Sequence, residues 1–318
     1  MPIKWRNCLS LLNKNTDESR LKHYAAAASV ATALLLTLIK AAAAFVTGSL
    51  SVLSSMIDSM GDVFSSVVTF VAVHYAEKPL TCNHRYGYGK AEAVSALVQA
   101  AFISGSAFFI LYEAVYRLIH PVILTHTAVG IGVMIIGMIF TALLVCFQRY
   151  IIKRVKSQAI EADSKHYVID FISNGTVLLS LLIIRHFNWQ WFDMAAATLV
   201  SGYLIFTAWH IARNALSEIT DKEADNEIKA KIIQAVLATE GVKGYHDLRS
   251  RLSGNRLFLE IHLELDGNLS LFAAHEIAEK AEKAITDVCP QAQAIIHQDP
   301  HGLSEKRIDD DIIGPCTL

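Results

Sequence analysis

Apolar residues in this chain gather into six long runs, near residues 24–48, 50–76, 93–119, 127–150, 167–185 and 191–212, separated by short polar breaks. A hydrocarbon core of about 30 Å takes about 20 apolar residues of helix, and runs this long exceed what an ordinary core helix uses. The pattern predicts six transmembrane helices. After Arg213 the texture becomes that of a soluble domain. Asp225–Glu240 reads as an amphipathic helix, Val242–Leu252 and Arg256–Leu265 as strands, Leu269–Val288 as a helix and Ala292–Gln298 as a strand, an α-β-β-α-β order. Within the second strand Leu257, Leu259, Ile261, Leu263 and Leu265 alternate with Phe258, Glu260, His262 and Glu264. That period of two is expected when one sheet face is buried, and it turns His262 away from the core.

The fold class is therefore an α-helical polytopic membrane domain of six helices joined to a small α+β domain. Its expected divisions are an N-terminal segment at 1–22, the membrane domain at 23–213, the α+β domain at 214–300 and a tail at 301–318. The Asp309–Asp311 acidic run and the late Gly314-Pro315 make that tail read as frayed, with no function assigned to it.

Composition supports this division: 53% of the 318 residues are hydrophobic, and mean hydropathy is +0.37. The net charge of −2 conceals an asymmetry. Residues 1–221 carry 17 Lys and Arg against 13 Asp and Glu, whereas residues 222–318 carry 11 against 17. No basic stripe interleaved with aromatics is present, which argues against nucleic acid as a partner. Cys8, Cys82, Cys146, Cys289 and Cys316 form no CxxC pair and suggest neither a disulfide framework nor a zinc finger. The first apolar run is too long, and its leader too polar, for a cleaved signal peptide.

Basic residues fix the expected orientation. Lys4, Arg6, Lys14, Arg20 and Lys22 precede the first run; Lys78, Arg85 and Lys90 lie between the second and third; Arg149, Lys153, Arg154, Lys156 and Lys165 lie around the fourth-to-fifth break. The opposite loops hold chiefly Arg117 and Arg185. The positive-inside rule then places both termini and the α+β domain in the cytoplasm.

Candidate chemistry sits inside the apolar runs. Asp58 and Asp62 are four residues apart, as are His166 and Asp170. Residues at that spacing project from one helix face, so two facing helices offer four ligands to one point. An ionised Asp near a bilayer centre costs about 2.5–3.5 kcal/mol, which a bound cation or proton would offset. Carboxylate oxygens with one imidazole nitrogen suit zinc and tolerate ferrous iron, cadmium or cobalt. An imidazole, with a reference pKa of about 6.5, loses its proton to bind metal, so ion and proton compete for the site. Asn174, a further turn along, lies on the same face and could donate to a ligand carboxylate. Lys40, Glu113 and Asp193 read as structural charges at helix positions that water or a partner reaches.

Five segments, Ser51–Asp62 (SVLSSMIDSMGD), Asn83–Glu92 (NHRYGYGKAE), His166–Asp170 (HYVID), His246–Arg249 (HDLR) and His297–Pro300 (HQDP), resemble the cation diffusion facilitator family, in particular its bacterial ferrous-iron and zinc efflux branch. The resemblance runs from about residue 20 to 300. It implies a homodimeric efflux transporter of the bacterial inner membrane, exchanging Zn2+ or Fe2+ for protons through Asp58, Asp62, His166 and Asp170. It also implies a metallochaperone-like cytoplasmic domain with a second centre at His246, His262, His275, His297 and Asp299. Lys90 and Asp221 match an ion pair between the two domains.

The chain departs from the family in the loop after the second run, where relatives often hold an Asp and two His. His84 remains, but Thr81 and Tyr88 stand at the other two positions, and neither is a strong zinc ligand, which leaves at most a loose contact through Cys82 and His84. A membrane metallohydrolase is disfavoured by the absence of HExxH and by a four-ligand site that leaves no open position for water. A non-transporting metal-sensing scaffold has no need of intramembrane carboxylates.

Overall fold

The computed structural model describes residues 3–47, 50–119, 128–187, 191–304 and 306–311. Within the helices some side chains, those of Asp58, Glu113 and Asp193 among them, lie outside the described residues. Six long helices come first: α1 (Ile3–Thr47), α2 (Leu50–Ala76), α3 (Lys90–Ile119), α4 (Ala128–Ile152), α5 (Gln158–Phe187) and α6 (Trp191–Ile219). Helix α1 starts well before its apolar run, because the run marks only the length that must meet lipid while the polar leader continues the same helix. Among the described residues α1, α3, α4 and α6 contain stretches apolar and long enough to cross a membrane. Helices α2 and α5 are continuous but carry acidic and histidine residues within their apolar runs, Asp58 and Asp62 on one and His166 and Asp170 on the other.

The helical unit turns large apolar side chains outward, including Phe45, Phe108, Phe109, Leu199, Phe206 and Trp209, as a lipid-facing surface requires. Its interior holds small residues, with Ala25, Ala26, Ala93, Ala100, Ala107 and Ala159 buried, which lets helix backbones approach closely. Helix α5 packs against α2, α3 and α4, and α1 packs against α2 and α4. Lys22 of α1 is buried between two carboxylates, Glu77 at 2.8 Å and Glu92 at 3.0 Å, tying the ends of α2 and α3 to it. Lys40 Nζ donates to Ser59 Oγ on α2 at 2.6 Å.

Residues 217–318 form a second unit. Helix α7 (Asn226–Leu237) leads to strands β1 (Gly244–Ser253) and β2 (Arg256–Leu265), then helix α8 (Leu271–Val288) and strand β3 (Ala292–Pro300). The sheet order is β1-β2-β3, with β2 antiparallel to β1 and parallel to β3. The crossover through α8 is what a parallel pair demands, and Ser270 caps that helix by accepting from Ala273 N at 3.2 Å. Leu257, Leu259, Ile261, Leu263 and Leu265 are all buried against Ile232 and Val236 of α7 and Ala281 and Ile285 of α8. The alternation read from β2 therefore describes the real core face.

Beyond β3 the chain does not fray over its described part. Residues 301–304 and 306–311 lie back on the sheet: His301 N donates to Leu265 O at 2.7 Å, and a short 3-10 turn over Ile308–Asp311 meets β1 through Asp247 and Asp309. The acidic run reads as solvated from sequence because its partners are remote in the chain.

Candidate metal centres

The site in the helical unit is built by α2 and α5. His166, almost fully buried, points Nε2 toward Asp62 Oδ1 at 3.3 Å and Asp170 Oδ2 at 3.6 Å. One donor atom from each of the three lies within 4.8 Å of the others. The fourth candidate, Asp58, is on α2 one turn before Asp62, and its side chain lies outside the described residues. Asp170 Oδ2 and His166 Nδ1 are buried without a hydrogen-bond partner. A buried polar atom without a partner is costly, and Asp170 Oδ2, which faces the same point as His166 Nε2, is one that a bound cation would satisfy. Two carboxylates and an imidazole fit a divalent transition metal. Asn174 does not serve a ligand carboxylate here; its Nδ2 donates to the backbone oxygen of Asp170 at 2.8 Å.

The second centre lies on the outer face of the sheet. Register places His246 opposite His262 and His262 opposite His297, so three imidazoles stand side by side in one row. Their ring centroids are 5.0 Å and 4.6 Å apart along it. Asp299, nearly buried, gathers them: His262 Nδ1 at 2.8 Å, His297 Nε2 at 3.2 Å and His246 Nε2 at 3.4 Å. His275 is not brought to this row. It stands exposed on α8, 3.6 Å from Glu279.

Comparison with known proteins matches the helical unit to the cation efflux transmembrane domain over residues 26–220, and the second unit to the cytoplasmic domain of cation efflux proteins over residues 224–301. The chain belongs to the cation efflux family. It is thus a multi-pass membrane transporter of cations rather than an enzyme. It is 40% identical over 286 residues to the cation-efflux pump FieF of Escherichia coli strain K12 / DH10B and to that of Escherichia coli O157:H7, covering 90% of this chain and 95% of each relative. Among solved structures, the metal-bound C-terminal domain of the CzcD transporter from Thermotoga maritima is 28% identical, with a TM-score of 0.24 over 25% of this chain and 93% of that one.

Two features of this cation-efflux chain escaped the sequence reading. Asp163, one turn before His166, is a fully buried carboxylate. It accepts from Gln148 Nε2 of α4 at 2.7 Å and from Gln99 Nε2 of α3 at 3.4 Å. Gln99 is in turn held by Ser65 and Thr69 of α2, and Gln148 by Ser29 of α1. Helices α1 to α5 thus meet in one polar network. The signal was present: Asp163, His166 and Asp170 fall at i, i+3, i+7, one stripe of a helix. The other feature is Asp247, buried beside His246 at a bulge in β1 with a φ of 49°, its donor atom within 4.8 Å of those of His246 and His262.

The loop between α2 and α3 does draw its altered residues together. Thr81 Oγ1 lies 3.2 Å from Tyr88 OH and 3.5 Å from His84 Nδ1, and the His84 ring stacks on Tyr88 with centroids 4.3 Å apart. Among the described residues no three metal-ligand side chains converge there, and Cys82 is exposed. Asp221 approaches Arg251 of its own unit at 3.7 Å.

Proposed function

We propose that this transporter exports Zn2+ or Fe2+ from the cytoplasm in exchange for protons, with Cd2+ and Co2+ as further cargo, using Asp58, Asp62, His166 and Asp170 as its transport site. The observation that carries the reading is the convergence of Asp62, His166 and Asp170 at a point where the buried Asp170 Oδ2 has no hydrogen-bond partner. Metal and proton cannot hold the imidazole nitrogen together, so loading from one side and protonation from the other couple the two flows. Alternating access of that single site supplies the vectorial step. On this reading residues 23–213 are the transport domain, residues 214–300 a cytoplasmic metal-binding and dimerisation domain, and both termini face the cytoplasm of a bacterial inner membrane.

His246, His262, His297 and Asp299 would hold a metal in the cytoplasmic domain. His275, apart from them in one chain, would join such a centre from a second copy in a homodimer.

Flux into proteoliposomes under an imposed pH gradient tests the proposal, with zinc, ferrous iron, cadmium and manganese compared and a dye reporting protons. Asp62→Ala removes a ligand carboxylate itself, and loss of even an outer partner of a ligand costs about 10- to 100-fold, so flux should fall at least about 100-fold. Undiminished flux in that variant refutes the site, and metal flux without counter-moving protons refutes the exchange.

A further inference from the structure

A second carboxylate stands behind the histidine row. Glu264 follows His262 by two residues on β2, on the same outer face, and is nearly buried. Opposite it β1 carries Gly244, where a Cβ would meet the Glu264 carboxylate at 3.0 Å, so the glycine makes room for it to lie across the strand. Three side chains hold that carboxylate: Oε1 accepts from Arg307 Nη2 at 2.8 Å and faces His246 Nδ1 at 3.2 Å, and Oε2 faces His301 Nδ1 at 2.7 Å. Two of the three come from residues 301–311, beyond the strand that closes the sheet.

That segment is itself fixed at both ends. His301 N bonds to Leu265 O at its start. At its end Asp309 N donates to Asp247 Oδ1 at 2.9 Å while Asp247 N donates to Asp309 Oδ2 at 3.1 Å, a reciprocal pair at the β1 bulge next to His246.

We propose that Glu264 is a positioning residue of the cytoplasmic metal centre and that residues 301–311 act through it as a strap that sets the centre's metal affinity. This rests on the reading of His246, His262, His297 and Asp299 as metal ligands. His246 turns Nε2 toward Asp299 and Nδ1 toward Glu264, so an Nε2 that binds metal leaves its proton on Nδ1, where Glu264 Oε1 accepts it. The acceptor fixes both tautomer and ring orientation. Arg307 and His301 in turn keep the carboxylate from swinging off the imidazole. The strap therefore reaches the metal without touching it, through Arg307, Glu264 and His246 in series.

The test uses full-length protein in detergent carrying Asp62→Ala, so that the cytoplasmic centre alone reports, with Zn2+ affinity read by competition against a chromophoric chelator and Co2+ absorption as a spectroscopic signature. Glu264→Gln should weaken Zn2+ binding about 10- to 100-fold at unchanged stoichiometry, the usual consequence of losing an outer partner of a ligating histidine. Arg307→Ala and truncation after Leu303 should weaken it in the same direction, Arg307→Lys should recover part of the loss, and the Co2+ bands should shift in Glu264→Gln. Affinity within twofold of the parent in Glu264→Gln and in the truncation overturns the inference. So does a loss of affinity that follows a lowered apo melting temperature with the Co2+ bands unmoved, since that is a fold effect alone. If the parent binds no metal that His262→Ala removes, the reading beneath the inference fails, an outcome distinct from ligand loss in His262→Ala with Glu264→Gln unaffected.

Discussion

Asp163→Ala puts the buried network of the helical unit to a quantitative test. The carboxylate has no solvent exposure, and its shorter hydrogen bond, from Gln148 Nε2, is 2.7 Å. Truncation removes the acceptor of that bond, of the 3.4 Å contact from Gln99 and of an interaction with Ser29, whose hydroxyl keeps Ala25 O. Gln148 keeps Ser29 for one of its two amide protons and loses the partner of the other, whereas Gln99 retains Ser65 O and Thr69 Oγ1. The cost is then chiefly the stranding of the buried Gln148 donor, about 1–3 kcal/mol, with little from the longer contact. For a unit of this size that is a fall in melting temperature of roughly 2–12 °C, at about 2–4 °C per kcal/mol. Asp163→Asn should lose less, because Gln148 Oε1 is buried without a partner and a half-turn of the Gln148 amide would present it to the new NH2 group. Melting of the detergent-solubilised protein by size-exclusion chromatography reads the order wild type, Asn, Ala. Since α5 is anchored through Asp163 one turn from His166, half-saturation for metal should also rise in Asp163→Ala when flux is normalised to folded protein. An alanine variant that melts with the wild type and transports at the same half-saturation would show the network to be energetically idle.

Two further outcomes follow from charge. Lys22→Met leaves Glu77 and Glu92 facing each other with Glu92 buried, and loss of one partner from such a pair costs about 3–5 kcal/mol; melting should drop accordingly, and adding Glu92→Gln should restore part of it. In the cytoplasmic domain the Asn268 backbone N–H, then Lys243, hold the exposed Asp266 carboxyl down at about 2. A carboxyl lowered on folding contributes stability above its unfolded pKa of about 4 and loses it as pH falls toward the folded value. The melting difference between wild type and Asp266→Asn should therefore be constant from neutral pH to about 5, shrink to a small remainder at about pH 2 and vanish by about pH 1; a difference undiminished at pH 2 would contradict it.

What the sequence disclosed and what it hid divide along a physical line. Lipid imposes its demand residue by residue along one helix, so the six apolar runs were legible, and so was the face on which His166 and Asp170 stand together. The buried side of β2 was legible for the same reason, since Leu257 to Leu265 repeat within one strand. Asp163, Glu264 and Arg307 take their meaning from residues on other elements: Gln99 and Gln148 on α3 and α4, His246 across a strand pair, and a carboxylate 43 positions back from Arg307. Alone, Asp163 reads as an acid in the first turns of a helix, where the dipole tolerates it. Arg307 reads as one charge of a solvated tail.

The same line separates ligands from the groups that govern them. A metal ligand carries its signature in its own spacing, as DxxxD, HxxxD and HxD do here, because neighbouring donors on one element share a target. A group that orients a ligand needs only to reach it, from any element, and leaves no such spacing. In both units pairs of candidate ligands share one element, Asp58 with Asp62, His166 with Asp170 and His297 with Asp299, while the carboxylate beside them, Asp163 in one unit and Glu264 in the other, is held by partners from elsewhere in the chain. Control of metal affinity in this transporter is therefore expected to be dispersed across helices and across the C-terminal strap even though the ligands are concentrated. Substitutions far from the ligands in sequence, at Gln148 or Arg307, should then change binding while leaving the number of bound ions the same.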